Sequence, residues 1–232
     1  MALIQRGSPD DLIQAVQTAP VVLGADEPTE SVFAVSETSQ GLALKSIKLT
    51  KDFGFFASLF NPAINIYFIA WAWDFSGAPV IQYPPAQLGF SPENLVLTLR
   101  AHEERSFLGT GVMLFPPRKV TAGINVCINL WQSTQDVREI GATLGSVAQT
   151  IESSKLNQVL STVATLTATP AAAVAMATNA SLELTSAIGN VLKTSNDQHL
   201  DLFQGTYNVT QVWNPGDEVN QGHGTEIIMT RL

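Results

Sequence analysis

The chain has 232 residues, 45% of them hydrophobic and only 14% charged, with a formal net charge of −8. That length buries a proper core without disulfides or metal, and the apolar content excludes a disordered chain. The negative charge argues against a nucleic-acid partner held by its phosphates, and it disfavours anionic membranes.

Ser8-Pro9-Asp10-Asp11 opens a short helix by its capping chemistry, with Leu12, Ile13 and Val16 on one face and Pro20 as its stop. Residues 1–41 form this helix and a lead-in, with one weak strand near Val32 to Val35. Leu42 to Leu49 alternates apolar and polar residues, the period of a half-buried strand. The stretch from Asp52 to Pro62 is apolar but carries Gly54 and ends in Asn-Pro, so it is placed in a loop or short helix. Ile64 to Trp73 is apolar on both alternating faces, which predicts a central strand covered on both sides.

Val80 to Tyr83, Leu95 to Leu99 and Gly111 to Phe115 are short strand candidates, the last closed by Pro116-Pro117. His102-Glu103-Glu104 is placed in a solvated turn. Ile124 to Trp131 alternates again and contains the single cysteine, Cys127, so no intrachain disulfide forms. A thiol within such a strand is expected to be a small buried apolar group. Short strands separated by turn signals point to an antiparallel β-sandwich.

From Thr134 the period changes. Val137, Ile140, Leu144, Val147 and Ile151 recur at helical spacing, and Leu156, Val159, Leu160, Val163 and Leu166 continue the stripe after a register slip at Ser153-Ser154. Thr169 and Pro170 open a second helix that runs to Leu192. Residues 136–196 are therefore expected to form a helical hairpin inserted between strands. Its polar interruptions, such as Glu152, Lys155 and Asn157, argue against a transmembrane pair. Leu202 to Val212 and Thr225 to Thr230 resume the strand pattern, with residues 217–224 as a polar loop. The expected architecture is mainly β, with 42–135 and 197–232 as a sandwich in a single domain of 1–232.

Leu42 to Leu49, a loop with Asp52, Asn61-Pro62 before a strand, Ile124 to Trp131, and Leu200-Asp201-Leu202-Phe203-Gln204-Gly205 together resemble the C-two domain, a calcium- and phospholipid-binding β-sandwich. The resemblance places the helical hairpin inside that family's third loop. It also implies a calcium site, for which Asp52, Asp74, Asp136 and Asp201 are the available ligands. Gln132 and Thr134 stand where that family has third-loop aspartates, so the ligand set is incomplete.

No nucleophile elbow and no phosphate-binding loop occurs, and His102, His199 and His223 lack metal spacing. The aromatic run Phe53, Phe55, Phe56 and Phe60 has two readings, a core plug or an exposed tip that docks on lipid or protein. The expectation is a non-catalytic binding and assembly module that self-associates or takes a protein partner through its hairpin or loop tips. A peripheral membrane or toxin-like protein is the alternative, and a hydrolase using His102 the second. The opening residues lack a basic stretch followed by an apolar run and cleavage site, so a cytoplasmic location is expected, with peripheral membrane association open.

Overall fold

The computed structural model describes residues 5–6, 33–51, 62–85, 95–133, 137–162, 170–193 and 197–232. The expected helix at 8–20 and the loop carrying Asp52 and Phe53 to Phe60 lie outside the described residues. The chain is mainly β, a sandwich of two antiparallel sheets with a helical insertion.

One sheet has six strands. They are β1 (Gln5–Arg6), β3 (Ile64–Trp73), β4 (Ile81–Tyr83), β5 (Leu97–Leu99), β8 (Gly123–Ser133) and β9 (Gln198–Asn208), in the order β1-β9-β8-β3-β4, with β5 also on β3. The other has five: β2 (Gln40–Leu49), β6 (Glu104–Ser106), β7 (Val112–Arg118), β10 (Gly216–Gln221) and β11 (Thr225–Arg231). Their order is β10-β11-β2-β6, with β7 also on β2. Each sheet thus has one edge built from two short strands lying end to end.

The apolar faces of β3 account for the layering. Ile66, Phe68, Ala70 and Ala72 point between the sheets, against Leu42, Leu44, Ile47, Ile227 and Met229. Tyr67, Ile69, Trp71 and Trp73 point the other way, where helices cover them. These are α1 (Val137–Glu152), α2 (Lys155–Thr162) and α3 (Pro170–Lys193). Ile140, Leu144, Val147, Ile151, Leu156 and Leu160 all face this second core, as do Leu184, Ile188 and Leu192 of α3. The helices join β8 to β9, which pair with each other from Gly123↔Asn208 to Gln132↔Gln198. The six-stranded sheet therefore closes across the base of the insertion.

Three details depart from the sequence expectation. The first arm of the hairpin is two helices, not one. Ser154 Oγ accepts the Asn157 backbone N–H at 3.4 Å, and Asn157 Nδ2 donates to the Ile151 and Glu152 carbonyls at 2.9 and 3.2 Å. A serine and an asparagine thus cap opposite sides of one break. Second, β7 runs through Pro116-Pro117 instead of ending there, which an edge strand permits because one flank of its backbone has no ladder to make. Third, Gly216–Gln221 is a strand, and so is Glu104–Ser106. Both are polar edge strands without an apolar alternation to mark them. Asp217 and Lys45 pair across β11, and Thr230 Oγ1 donates to Asp217 at 2.7 Å.

Candidate functional site

Of the four aspartates considered as calcium ligands, Asp52 and Asp136 lie outside the described residues. Asp74 follows β3 and is fully buried. Its Oδ1 accepts from Arg118 Nη2 at 2.9 Å and Ser76 Oγ at 2.6 Å, and its Oδ2 from the Thr121 N–H at 3.2 Å. Asp201 lies on β9. A register shift opposite Leu130/Trp131 sets both Leu200 and Asp201 toward the other sheet. Its Oδ1 accepts from the His223 N–H at 2.7 Å, and its Oδ2 from the N–H groups of Gly224 and Thr225 and from Thr225 Oγ1 at 2.7–2.9 Å. The carboxylate thereby holds the β10–β11 turn against the first sheet. A Cβ added at Gly222 would stand 2.5 Å from the Asp201 carboxyl carbon, so that glycine is required for the close approach.

The structure does not bring Asp74 and Asp201 together. Asp201 is in register with Leu130, and Leu130 with Phe68. Asp74 lies six residues beyond Phe68, or about 20 Å along the strand. Each carboxylate is spent on protein donors, and among the described residues no group of three or more His, Cys, Asp or Glu is arranged to hold a metal.

The three histidines occupy different surroundings. His102 sits in a tight turn at φ 65°, His199 packs edge-on against Trp131 at 4.9 Å, and His223 gives its backbone N–H to Asp201. Cys127 is fully buried, where burial pushes its thiol up despite hydrogen bonds from Thr185 and Asn129 that act the other way.

A buried polar cluster closes the neck of the insertion. The Tyr67 hydroxyl donates to Asp197 Oδ2 at 2.7 Å, and Ser133 Oγ to Asp197 Oδ1 at 3.3 Å. Ser133 and Asp197 stand where the chain leaves and re-enters the sheet. Burial, then the Asp197 hydrogen bond and charge, drive the Tyr67 phenol far above its usual range.

The outward side of the helical layer carries several uncharged residues. Ala142, Gly145, Ser146, Gln149, Asn179 and Asn190 are exposed along α1 and α3, beside Met176. Lys155 and Glu183 pair across the helices at 2.7 Å, with both side chains mostly exposed. A pair so solvated adds little stability, and Glu139 and Glu152 of α1 are exposed beside it. Apolar tips occur elsewhere, at Leu108 (97% exposed) and Val212 (79% exposed). Leu108 was not singled out from the sequence, and Val212 was expected at the end of a strand from Leu202, whereas β9 ends at Asn208.

No family model matches the chain, and no curated protein matches it. Among solved structures, human GIVD cytosolic phospholipase A2, in complex with the inhibitor methyl gamma-linolenyl fluorophosphonate and terbium chloride, is similar at TM-score 0.31 and 7% identity. The match covers 86% of this chain but spans only 17% of that chain. A likeness at that score carries no argument about fold or activity.

Proposed function

We propose that the protein is a non-catalytic β-sandwich module for protein binding and self-assembly, and that the outward face of its helical layer is the interaction surface. The carrying observation is the division of labour within that layer. Its apolar stripes are consumed by the sheet, and its outer side presents the small Ala142, Gly145 and Ser146 and the uncharged Gln149, Asn179 and Asn190, beside Glu139, Glu152 and the Lys155–Glu183 pair. Small side chains let a second helical surface approach closely, and uncharged polar ones cost less to desolvate than ions. The buried carboxylates of Asp74 and Asp201 support the non-catalytic reading, because each accepts backbone N–H groups of a neighbouring loop or turn.

The sandwich is further read as C-two-like, on the order of its elements. Calcium has no part in the proposal, since Asp74 and Asp201 already carry full sets of protein donors.

Size-exclusion chromatography with light scattering tests the reading. The wild type is expected to self-associate as concentration rises, and Ser146→Arg with Asn179→Arg to remain monomeric. A monomeric wild type at high concentration, or unchanged association in the double variant, overturns it.

A further inference from the structure

The tryptophans on either side of the six-stranded sheet are satisfied differently. Between the sheets, Tyr207 Oη donates to Glu218 Oε2 at 3.4 Å and Trp213 Nε1 to the Leu232 carbonyl at 2.7 Å. Beneath the helices, Trp71, Trp73 and Trp131 are each at least 96% buried, yet none of their indole N–H groups has a protein hydrogen-bond partner among the described residues. Ser181 Oγ of α3 is buried and unpartnered in the same layer. The layer that covers these rings is also the one the sheet does without. β8 pairs with β9 down to its base, and Ser133 and Asp197, at exit and return, are tied to one clamp by Tyr67.

We propose that the helical insertion is a releasable layer that undocks from an intact sandwich, and that the faces it uncovers bind a zwitterionic lipid–water interface. Undocking lets the orphaned indole N–H groups meet polar partners while their rings stay in apolar surroundings. An indole finds both at the headgroup level of a bilayer. The stripe from Ile140 to Leu160 and the apolar side of α3 supply amphipathic faces for the same interface. Among the described residues no helix is long and apolar enough to cross a membrane, so the opened helices lie in the interface plane. The net charge of −8 favours zwitterionic over anionic lipid. This goes beyond the assembly reading, because it concerns the inner faces of the helices and not the outer one.

The chain carries its own reporter. Cys127 is the single cysteine, it is fully buried on the helix-covered side of β8, and Thr185 of α3 lies against it. Thiol labelling of Cys127 in native buffer is expected to outpace global unfolding and to accelerate at least ~10-fold on phosphatidylcholine vesicles, as a surface that selects the open state requires. Ser181→Ala removes one orphaned hydroxyl at almost no cost in volume, and is expected to slow labelling without vesicles by ~5- to 100-fold. Thr185→Cys places a second thiol against Cys127. The oxidised form is expected to lose vesicle flotation and the reduced form to regain it. Labelling that is unchanged by vesicles, labelling in Ser181→Ala as fast as wild type, or equal flotation of oxidised and reduced Thr185→Cys overturns the proposal.

Discussion

Replacing Asp201 with alanine tests whether a single carboxylate ties the β10–β11 turn to the opposite sheet. Asp201 is 4% exposed and accepts four hydrogen bonds, three of them from buried groups: the N–H of Gly224, and the N–H and Oγ1 of Thr225. Alanine leaves all three without an acceptor. A buried donor with no partner costs about 1–3 kcal/mol. The fourth donor, the His223 N–H, belongs to an exposed residue and returns to water. Local relaxation brings the loss to roughly 3–6 kcal/mol, not the full sum. For a chain of this size that lowers Tm by roughly 6–24 °C. The assay is urea unfolding followed by tryptophan fluorescence. Thr225→Val is the companion, since it removes only the hydroxyl donor and is expected to cost about 1 kcal/mol. If Asp201→Ala falls within about 1 kcal/mol of wild type, the turn does not depend on this carboxylate and the reasoning is wrong.

Three further outcomes are expected. Arg118→Met leaves Asp74 buried with only its Ser76 and Thr121 donors, and is expected to cost about 2–4 kcal/mol in urea unfolding. Burial raises the phenols of Tyr67 and Tyr207 and the thiol of Cys127 in the folded state. Groups so raised contribute stability that is complete below their unfolded values and lost as pH climbs past them. The urea midpoint is therefore expected to fall through the alkaline range, starting with the thiol's ordinary value near 8.5 and steepening near the phenol value of about 10; Tyr67→Phe flattens that fall and costs about 1.5–3 kcal/mol at neutral pH. Asn157→Ala removes the bracket that joins the Ile151 and Glu152 carbonyls to the Val80 N–H, and is expected to cost about 1–2 kcal/mol.

What was legible in the sequence followed from periodicity. Ile64 to Trp73 is apolar on both faces, and the structure bounds β3 at those two residues with a core on each side. Pro170 at a first helical position marked the start of α3, which runs to Lys193. The slip at Ser153-Ser154 was visible as a fault in the stripe, and its caps, Ser154 and Asn157, are local; the tie from the Val80 N–H to Asn157, remote in sequence, was not visible. Polar edge strands escaped for a related reason. β10 makes its ladder with β11 alone, and its Asp217 and Glu218 are held by Lys45 and Arg231 from other strands, so no local alternation announces it. The candidate site was less legible than the fold. Asp74 and Asp201 are ordinary acidic residues in the chain, and only the register shows that they are about 20 Å apart along the strands.

The double coverage of the six-stranded sheet bears on where function resides. A sandwich needs only one buried face per sheet, and the core between Leu44, Phe68, Ile128 and Ile227 meets that need alone. The outer face of β3 and β8 carries Trp71, Trp73, Trp131, Cys127 and Asn129 around Ile69, with Tyr67 at its end. Were the helices a permanent structural cap, aliphatic residues would serve that face better, since each buried indole N–H without a partner costs about 1–3 kcal/mol. Such groups lie beneath the one element that the strand pairing does not require, and each weakens the helix–sheet seam by the cost of an unmet donor. The same helices carry the outward small-residue surface. A partner on that outer face and the opening of the inner one therefore act on one element, and whatever clamps the outer face is expected to slow exposure of Cys127.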